Sequence, residues 1–273
     1  MKCEIKKYKN NRPRIFIAVV SHGHGELIER LNVLGSISRN KEIVVAVKTN
    51  IPDVKLKMYC KDNNIVFLDG EYFYGFGYNN NAIFKYCLSE LKMTEKDYFV
   101  VLNPDLIIDD CRILKLVNRM RSEKVCFATI NLFKDSFFTS YDQSVRRFPG
   151  AIDFINSFLF KKNNTCLNRE KIHKPMLVDW CAGSFMVYTA AHYMRLLGFN
   201  TRYFMYCEDI DICYRSHLIG ERVRYYPDIK AQHLAHHSNR RFLSKHFFWH
   251  VKSIFVYLLT KHVSLNSKSN IQP

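Results

Sequence analysis

The sequence predicts an α/β fold built on a central, mostly parallel β-sheet with helices on its faces. Two apolar, β-branched runs, Ile15–Val20 and Glu42–Val47, are typical of strands that are buried on both faces. The leucines of Glu26–Leu34 repeat at helical spacing between these runs, so the three segments form a strand–helix–strand unit. Ile65–Leu68 and Tyr98–Leu102 predict two further strands. Because ligands bind such sheets at the carboxyl ends of the strands, we expect the functional site at that edge.

Composition and charge narrow the class of protein. A chain of 273 residues with 48% hydrophobic content suits one large domain, or one domain with an appendage. The net charge of +16 indicates an anionic partner: a nucleic acid, a membrane surface or a phosphorylated ligand. We expect no nucleic-acid partner, because zinc-finger spacing and RNP-type aromatic motifs are missing. Nine single cysteines, no signal peptide and no run of about 18 apolar residues predict a cytoplasmic chain with reduced thiols and no spanning helix.

Polar side chains follow the first two predicted strands. Ser21 and His22 begin the glycine-punctuated turn SHGHG, and Thr49 and Asn50 follow the second strand. The carboxyl ends of parallel strands meet at one edge, so these side chains could line a common ligand pocket. For each residue alone, ordinary loop polarity is the simpler interpretation.

The stretch Gly70–Ala82 (GEYFYGFGYNNNA) combines a glycine loop with a predicted helix start. Gly75 and Gly77 permit positive φ or close backbone approach. Asn80 and the asparagines on either side of it can cap a helix that begins near Ala82. The stretch lacks GxGxxG spacing, yet a glycine loop before a helix N-terminus suits an anion or a sugar.

An acidic residue follows the strand Tyr98–Leu102, which runs directly into Asn103-Pro104-Asp105. A carboxylate at this position suits Mg²⁺ or Mn²⁺, which would take it together with diphosphate oxygens and water. A simple turn is the alternative, because Asn-Pro-Asp is also strong turn chemistry.

The stretch Val178–Tyr188 (VDWCAGSFMVY) opens with an acidic and an aromatic residue and ends in a predicted apolar strand. Asp179 and Trp180 precede a small-residue stretch that contains Gly183. An indole ring is a natural platform for a sugar ring, and a neighbouring carboxylate can hold sugar hydroxyls. A tryptophan that belongs to the core is the alternative.

Basic residues are conspicuous in the long polar insert 133–177 that precedes this strand. They include Arg146, Arg147, Lys161 and Lys162. These residues suit an acceptor phosphate or lipid headgroups, but they could equally form a solvated face.

The stretch Tyr203–Arg215 (YFMYCEDIDICYR) is the strongest candidate for chemistry. If a helix begins at its acidic residues, Asp211 pairs with Arg215 one turn later. Asp209, next to Glu208, is then left at the helix start, where backbone N–H groups favour an anion. A carboxylate that is held but not neutralised is what a general base needs. The alternative is a charged first turn with an ordinary salt bridge.

Histidines follow the predicted edge strand Arg222–Tyr226. The loop after it contains His233, His236 and His237. A histidine near a cation site can bind the metal or donate to a diphosphate, although a lone histidine usually does neither. The neighbouring Asn239–Arg241 favours a loop that faces an anion.

The tail Phe242–Lys261 predicts an amphipathic helix. Its apolar stripe comprises Phe247, Val251, Ile254, Phe255, Leu258 and Leu259, and lysines lie away from the centre of that stripe. This pattern is typical of a helix that lies on an anionic membrane, and equally of one that packs its stripe on the domain.

Five of these stretches, taken in order, resemble one family. They are VVSHGHG, YGFGYNNN, YFVVLNPD, DWCAGSFM and YFMYCEDIDICYR, followed by the histidine-rich loop. Together they resemble the family-two inverting glycosyltransferases of GT-A fold, and among these the bacterial rhamnosyltransferases that assemble O-antigen and related cell-surface polysaccharides. The resemblance implies a Rossmann-like GT-A domain for nucleotide-diphospho-sugar transfer over residues 13–240. We expect residues 241–273 to form a basic, amphipathic helical tail that could associate with a membrane.

The resemblance also implies site residues. Asp209 becomes the catalytic base, assisted by Glu208, while Asp105 and His233 hold a Mg²⁺ or Mn²⁺ ion near the diphosphate. The residues implied for the donor nucleotide are Ser21, His22, Thr49, Asn50, Gly77, Asn80 and Asn103. Those implied for the acceptor or sugar are Asp179, Trp180 and Gly183.

The activity implied by the resemblance is transfer of L-rhamnose from dTDP-L-rhamnose to a polyprenyl-diphosphate-linked saccharide. The enzyme would be peripheral on the inner face of the cytoplasmic membrane. A UDP-sugar donor with galactose or N-acetylglucosamine is the alternative, because Thr49-Asn50 stands where many relatives have an Asp-Asn pair that contacts the base. An alternative of another class is a basic, non-catalytic protein that binds nucleic acid or membrane. The acidic motifs count against that class, because they would repel a phosphate backbone.

Overall fold

The computed structural model describes residues 12–160, 164–235, 245–263 and 267–271 of the chain. The strands are β1 (Ile15–Ser21), β2 (Ile43–Thr49), β3 (Val66–Leu68), β4 (Tyr98–Leu102), β5 (Leu106–Ile107), β6 (Phe127–Phe133), β7 (Val145–Arg146), β8 (Met176–Val178), β9 (Trp180–Cys181), β10 (Phe185–Thr189) and β11 (Val223–His233). The helices are α1 (Gly25–Leu31), α2 (Val33–Ile37), α3 (Val54–Asp62), α4 (Phe76–Ser89), α5 (Asp110–Glu123), α6 (Ala151–Phe160), α7 (Ala190–Arg195), α8 (Glu208–Leu218) and α9 (Lys245–Val263). A 3₁₀ turn spans Arg169–Lys171.

Within the described residues, nine strands form one sheet in the order β3-β2-β1-β4-β10-β6-β11-β5, with β8 paired to β11. The first four strands of this order are parallel, so Ser21, Thr49 and Leu102 end them at one edge. β10 is antiparallel to both neighbours, while β11 is parallel to β6 and antiparallel to β5 and β8. The predicted α/β fold is confirmed, with a parallel N-terminal half and a mixed remainder.

The two faces of β1 enter different apolar cores. Ile15, Ile17 and Val19 pack with residues of α1, α3 and α5, whereas Phe16 and Ala18 pack with residues of α4, α7 and α8. Successive side chains of a strand point to opposite faces, so both faces of this apolar strand must be covered. The result is three layers, with the sheet between two sets of helices.

Asn32 divides the predicted helix Glu26–Leu34 into α1 and α2. Its φ of 47° is left-handed, a conformation that asparagine adopts more readily than most residues. Its Oδ1 accepts a hydrogen bond from the hydroxyl of Tyr59 at 2.9 Å. Because this contact comes from α3, distant in the sequence, leucine spacing alone did not predict the break.

The helix predicted to begin near Ala82 begins earlier, at Phe76 behind Gly75. The asparagines are therefore not caps, and that prediction was wrong. The side-chain amides of Asn79 and Asn80 donate to the carbonyls of Gly75 and Phe76, each one turn back, at 3.0 Å. Asparagine in a helix can satisfy its amide in this way, so these hydrogen bonds stabilise the first turn of α4.

The predicted edge strand Arg222–Tyr226 is part of β11, which has 11 residues and lies inside the sheet. The register of β11 against β6 shifts between Tyr226 and Lys230, where Pro227 cannot donate to the ladder. Because proline disfavours the interior of a strand, the sequence predicted an end before Pro227. The strand continues beyond it to His233, and this continuation carries the histidine to the site.

One face of α9 packs on the domain and the opposite face does not. Ile254 and Tyr257 are buried, whereas Phe248, Phe255 and Leu259 are 59%, 64% and 52% exposed. The predicted apolar stripe is thus divided between a packed face and a solvent face. No helix in the described part of the chain combines the length and apolar character that a membrane crossing requires.

The start of α4 touches the loop that leads into α8. The backbone N–H of Phe76 donates to the carbonyl of Phe204 at 3.1 Å. A Cβ atom at Gly75 would lie 2.1 Å from that carbonyl oxygen. Only glycine allows this approach, which joins the predicted glycine loop to the predicted acidic motif.

Replacing Gly75 with Ala should lower the free energy of unfolding by about 1–3 kcal/mol, because backbone must move to admit the methyl group. The matched control is Gly150→Ala, where the nearest atom to the new Cβ is the Asp153 carboxylate at 3.7 Å. Urea denaturation of both variants measures the difference. Equal stability of the two would contradict the close approach at Gly75.

Candidate active site

Strand pairing brings Asp105 and His233 together. β4 runs into Asn103 and Asp105, and His233 at the end of β11 pairs with Leu106 of β5. His233 Nε2 consequently lies 3.3 Å from Asp105 Oδ1 and 3.4 Å from the amide nitrogen of Asn103. The two residues predicted for the metal and one predicted for the donor nucleotide therefore share one corner of the sheet edge.

The other ring nitrogen of His233 has a partner that sequence reasoning missed. Its Nδ1 lies 2.5 Å from Oδ2 of Asp142, in the insert after β6. Burial lowers the pKa of His233, but its hydrogen bonds to Asp105 and Asp142 outweigh burial and raise the pKa to about 9. No local pattern marks Asp142, since it is one polar residue in a polar insert.

The donor atoms at this corner fit a divalent cation. An imidazole and a carboxylate suit Mn²⁺, while Mg²⁺ prefers oxygen ligands alone. Among the described residues, no group of three or more His, Cys, Asp or Glu side chains is placed to hold a metal ion. Asp105 and His233 could supply two ligands if metal binding displaces the proton from His233 Nε2, and diphosphate oxygens and water would complete the coordination.

The residues predicted for the nucleotide tie the loops at the ends of β1 and β2 together. The Ser21 hydroxyl accepts the N–H of His24 at 3.1 Å. The Asn50 side chain accepts the N–H of Tyr74 at 3.1 Å and donates to the carbonyl of Tyr74 at 2.9 Å. The amide of Asn50 also lies 3.3 Å from His22 Nδ1. The Thr49 hydroxyl donates to the carbonyl of Ile51. Asn50 thereby fixes the loop in front of α4.

His24 is a second residue that the sequence reasoning did not select. Its Nδ1 accepts the N–H of His22 at 3.0 Å. Burial lowers the pKa of His24, and the charge of Asp105 opposes that effect. The turn after β1 therefore faces the carboxylate after β4, as adjacent parallel strands require.

Gly77 and Asn80 lie in the first turns of α4. A Cβ atom at Gly77 would lie 2.7 Å from Cβ of Phe199, so the glycine permits close packing there. Asn80 is buried, and its Oδ1 has no hydrogen-bond partner among the described atoms. A buried, unpaired acceptor is uncommon in native proteins.

A tight turn sets the direction of the acidic motif. Tyr206 and Cys207 have left-handed φ angles of 72° and 63°, and α8 begins at the next residue. Backbone of this kind in non-glycine residues is frequent at functional sites. Asp209, which is partly exposed, accepts the N–H of Gly183 at 3.2 Å and that of Ile210 at 2.9 Å.

The predicted ion pair in α8 is confirmed. Arg215 Nε lies 2.7 Å from Asp211 Oδ2, and Asp211 is fully buried. Arg215 also donates to the carbonyls of Leu196 and Gly198, and the Tyr203 hydroxyl donates to Asp211. Asp211 is thus neutralised, which leaves Glu208 and Asp209 as the remaining carboxylates of the motif.

Glu208 and Asp209 are adjacent carboxyl groups with different surroundings. Burial raises the pKa of Glu208 to about 8, and the neighbouring Asp209 charge adds to the rise. Burial also raises the pKa of Asp209, but the N–H groups of Gly183 and Ile210 and the charge of Arg146 oppose it. Burial thus raises the pKa of both carboxyls, and at Asp209 the two N–H groups and the Arg146 charge counteract that rise.

The three residues predicted for the acceptor or sugar have different surroundings. Gly183 reaches Asp209 through its backbone. Asp179 pairs with Arg222 at 2.8 Å and accepts the N–H of Phe148, so it holds the insert on the domain. Trp180 is largely buried and carries the Arg146 guanidinium over its ring at 5.1 Å. Contact of these residues with a sugar stays a prediction.

Several predicted residues lie outside the described part of the chain. They are Lys161, Lys162, His236, His237 and Asn239–Arg241.

Replacing Glu208 with Gln should reduce the loss of stability as the pH rises from about 4.5 to about 8. The folded-state pKa of about 8 exceeds the ordinary value of 4.5, so the folded protein holds an extra proton between these pH values. Stability from Glu208 is therefore lost as pH rises through this window. Thermal midpoints from pH 5 to pH 9 should fall less steeply for Glu208→Gln than for the wild type. The exposed-site variant Glu29→Gln should match the wild type, and the same slope for all three would refute the assignment.

Among known proteins, the chain matches rhamnosyltransferases. No protein-family model matches it. It is 40% identical over 254 residues to rhamnosyltransferase WbbL of Escherichia coli (strain K12), which covers 92% of this chain and 95% of that protein. It is 33% identical over 85 residues to the N-acetylglucosaminyl-diphospho-decaprenol L-rhamnosyltransferase of Mycobacterium tuberculosis (strain ATCC 25618 / H37Rv), which covers 31% of this chain and 28% of that protein.

Solved glycosyltransferase structures share the fold. Mannosyltransferase PcManGT from Pyrobaculum calidifontis, in complex with GDP-Man and Mn²⁺, gives a TM-score of 0.57 at 15% identity, over 94% of this chain and 66% of that one. S. aureus TarS 1-349 in complex with UDP-GlcNAc gives a TM-score of 0.58 at 12% identity, over 94% and 68%. These identities establish the fold alone, whereas the WbbL match spans nearly both whole chains. The chain belongs to the family of rhamnosyltransferase WbbL, and it is a glycosyltransferase of GT-A fold.

Proposed function

We propose that this glycosyltransferase transfers L-rhamnose from dTDP-L-rhamnose to a saccharide linked to polyprenyl diphosphate. The observation that carries the sugar assignment is the match to WbbL, which is named a rhamnosyltransferase, over 92% of the chain. The acceptor class is supported by the mycobacterial relative, whose name specifies N-acetylglucosaminyl-diphospho-decaprenol. The dTDP donor rests on the family resemblance of the sequence motifs.

The surroundings of Asp209 support a single inverting displacement. The carboxylate removes the proton of an acceptor hydroxyl while that oxygen bonds to the anomeric carbon. The bond from this carbon to the diphosphate oxygen breaks in the same step, so dTDP leaves with the electron pair. The N–H groups of Gly183 and Ile210 hold the base in place. Glu208 keeps its proton at neutral pH and adds no second charge beside the base.

The leaving diphosphate would lie at the corner formed by Asp105 and His233. These two residues would hold Mg²⁺ or Mn²⁺, and the presence of Mn²⁺ with GDP-Man in PcManGT supports such a site on this fold. A bound divalent ion would neutralise negative charge on the leaving group. The amide of Asn103, which is next to His233, could donate to a phosphate oxygen. The nucleotide would then lie at the ends of β1 and β2, along the loops that Ser21 and Asn50 hold.

Replacing Asp209 with Asn should slow rhamnose transfer by about 10²–10⁴-fold, the usual contribution of a general base. The amide preserves the shape of the side chain but cannot take a proton. Transfer is measured with dTDP-L-rhamnose, Mn²⁺ and a polyprenyl-diphosphate-linked N-acetylglucosamine. Donor binding is measured by the rise in thermal midpoint, which should persist in the variant because a ligand that binds only the native state stabilises it.

The control variant for this assay is Asp62→Asn, at an exposed position at the end of α3, which should keep full activity. Undiminished transfer by Asp209→Asn would remove the base assignment. A thermal shift with UDP-sugars and none with dTDP-sugars would keep the enzyme but replace the donor. Salt-sensitive binding of DNA or RNA, with no shift by any nucleotide sugar, would favour the non-catalytic basic protein.

The solvent face of α9 supports attachment to the membrane that carries the acceptor. Phe248, Lys252, Phe255 and Leu259 recur at intervals of four, three and four residues, so they lie on one helical face, and all are exposed. Apolar side chains flanked by a lysine suit a bilayer surface with anionic lipids. We therefore place the enzyme peripherally on the inner face of the cytoplasmic membrane.

The double variant Phe255→Ser/Leu259→Ser should bind anionic vesicles at least about tenfold more weakly than the wild type. Each large apolar side chain contributes about 1.5–3 kcal/mol when it is fully buried. Co-sedimentation with vesicles that contain phosphatidylglycerol measures binding. The matched control is Val54→Ser/Met58→Ser, which removes two exposed apolar side chains of α3. Equal binding by both double variants would exclude α9 as the attachment surface.

A further inference from the structure

We propose that Asp142 is a positioning residue that fixes the imidazole of His233 for the metal and the diphosphate. This role adds a residue to the proposed function and rests on it, because His233 is assigned to the proposed metal and diphosphate site. Nothing in the sequence motifs points to Asp142. The inference comes from the geometry of one side chain in the insert.

The hydrogen bond between these residues settles what each ring nitrogen can do. His233 Nδ1 donates to Asp142 Oδ2 across 2.5 Å, so the proton on Nδ1 is held. The opposite nitrogen, Nε2, then faces Asp105 at 3.3 Å and Asn103 at 3.4 Å. A histidine that binds a metal usually donates its other N–H to a carboxylate or a carbonyl, which orients the ring. Asp142 is placed to do this for His233.

The backbone around Asp142 is itself held against the sheet. The N–H of Asp142 donates to the carbonyl of Leu132 at 3.0 Å, and Tyr141 forms a β-bridge with Phe133 at the end of β6. The rings of Tyr141 and Phe133 also pack, with centroids 4.7 Å apart. β6 is the parallel neighbour of β11, which carries His233. The carboxylate lies on a segment bridged to β6 and the imidazole on β11, so the two groups have little freedom to separate.

A buried cation supports the charge of Asp142. Arg169, in the 3₁₀ turn of the same insert, is buried and lies over the Tyr141 ring at 5.0 Å. Its guanidinium contacts the Ser144 hydroxyl at 3.3 Å. The positive charge of Arg169 favours a negatively charged Asp142.

The competing interpretation is that Asp142 only attaches the insert to the domain. Attachment would make Asp142 matter for stability, with no special effect on the metal. Positioning of His233 predicts an effect on metal affinity that depends on His233 being present. A double-mutant cycle separates these two roles, because only the second makes the two residues act as a unit.

The test compares wild type, Asp142→Ala, Asp142→Asn, His233→Ala and the double variant Asp142→Ala/His233→Ala. Binding of Mn²⁺ in the presence of dTDP is followed by the loss of the free-ion EPR signal. Asp142→Ala should weaken Mn²⁺ binding about 10- to 100-fold. Asp142→Asn should recover part of this loss, because its amide oxygen still accepts the Nδ1 proton. The double variant should bind Mn²⁺ no more weakly than His233→Ala.

The matched control is Asp135→Asn in the same insert. Asp135 accepts N–H groups of Phe137, Thr139 and Ser140, so its loss should lower the thermal midpoint without changing Mn²⁺ affinity. Wild-type affinity in Asp142→Ala, or an equal loss from Asp142→Ala with and without His233, would overturn the proposal.

A second measurement needs neither metal nor activity. In the metal-free protein, imidazole ¹H–¹⁵N spectra should contain an exchange-protected Nδ1–H proton of His233, identified by its absence in His233→Ala. This signal should disappear in Asp142→Ala and persist in Asp105→Asn. Its persistence in Asp142→Ala would reject the role of Asp142. If the wild type binds no Mn²⁺, the metal part of the proposed function fails, while the spectra still decide whether Asp142 holds the ring.

Discussion

The buried ion pair between Asp211 and Arg215 is the interaction on which the rest of the site depends. Arg215 also binds the carbonyls of Leu196 and Gly198, so one guanidinium joins α8 to the chain that leaves α7. A buried charge is tolerated only when its partner and its hydrogen bonds are in place. Arg215 therefore neutralises Asp211, whereas Asp209 accepts only the backbone N–H groups of Gly183 and Ile210. In the proposed mechanism, Asp209 can act as the base because the carboxylate of Asp211, two residues later, pairs with Arg215.

The two acidic centres of the site are tuned in opposite directions by their neighbours. Asp142 meets a histidine and lies near a buried arginine, so its pKa is held below the ordinary range. Glu208 meets another carboxylate in a buried turn, so it keeps its proton to about pH 8. In the proposed mechanism, the first centre presents an imidazole toward Asp105, and the second presents Asp209 to the acceptor hydroxyl. A displacement reaction needs both: a place for the leaving diphosphate and a base for the attacking hydroxyl.

The parts that sequence predicted are those in which local pattern and tertiary environment agree. The apolar runs of β1, β2 and β4 could only be buried strands, and their ends located Ser21, Thr49 and Asp105 correctly along one edge. The Asp211–Arg215 spacing likewise predicted a contact within one helix. In each case the information lies within a few neighbouring residues.

The parts that were missed depend on contacts between distant segments. α4 begins early because Gly75 meets the carbonyl of Phe204, and no local signal reports that approach. β11 passes through Pro227 because β6 and β5 continue beside it. Asp142 becomes important only once β11 has carried His233 to it. Long-range pairing decides these features, and a single sequence does not display it.

The packing of α9 near the acidic motif determines how far the solvent face of the helix lies from Asp209. Near its N-terminal end, Trp249 packs on Phe204 at 4.6 Å and His250 on Tyr206 at 4.8 Å, directly before the turn into the acidic motif. The Ser253 hydroxyl donates to the carbonyl of Met205 at 2.8 Å. The opposite face of this helix, with Phe248, Phe255 and Leu259, is exposed to solvent. For an enzyme docked through that face, the height of the base above the lipid is set by side-chain packing and not by a flexible tether. Acceptors with different numbers of sugars would then present different hydroxyls at that height. The packing of α9 would thereby determine which saccharide lengths can react.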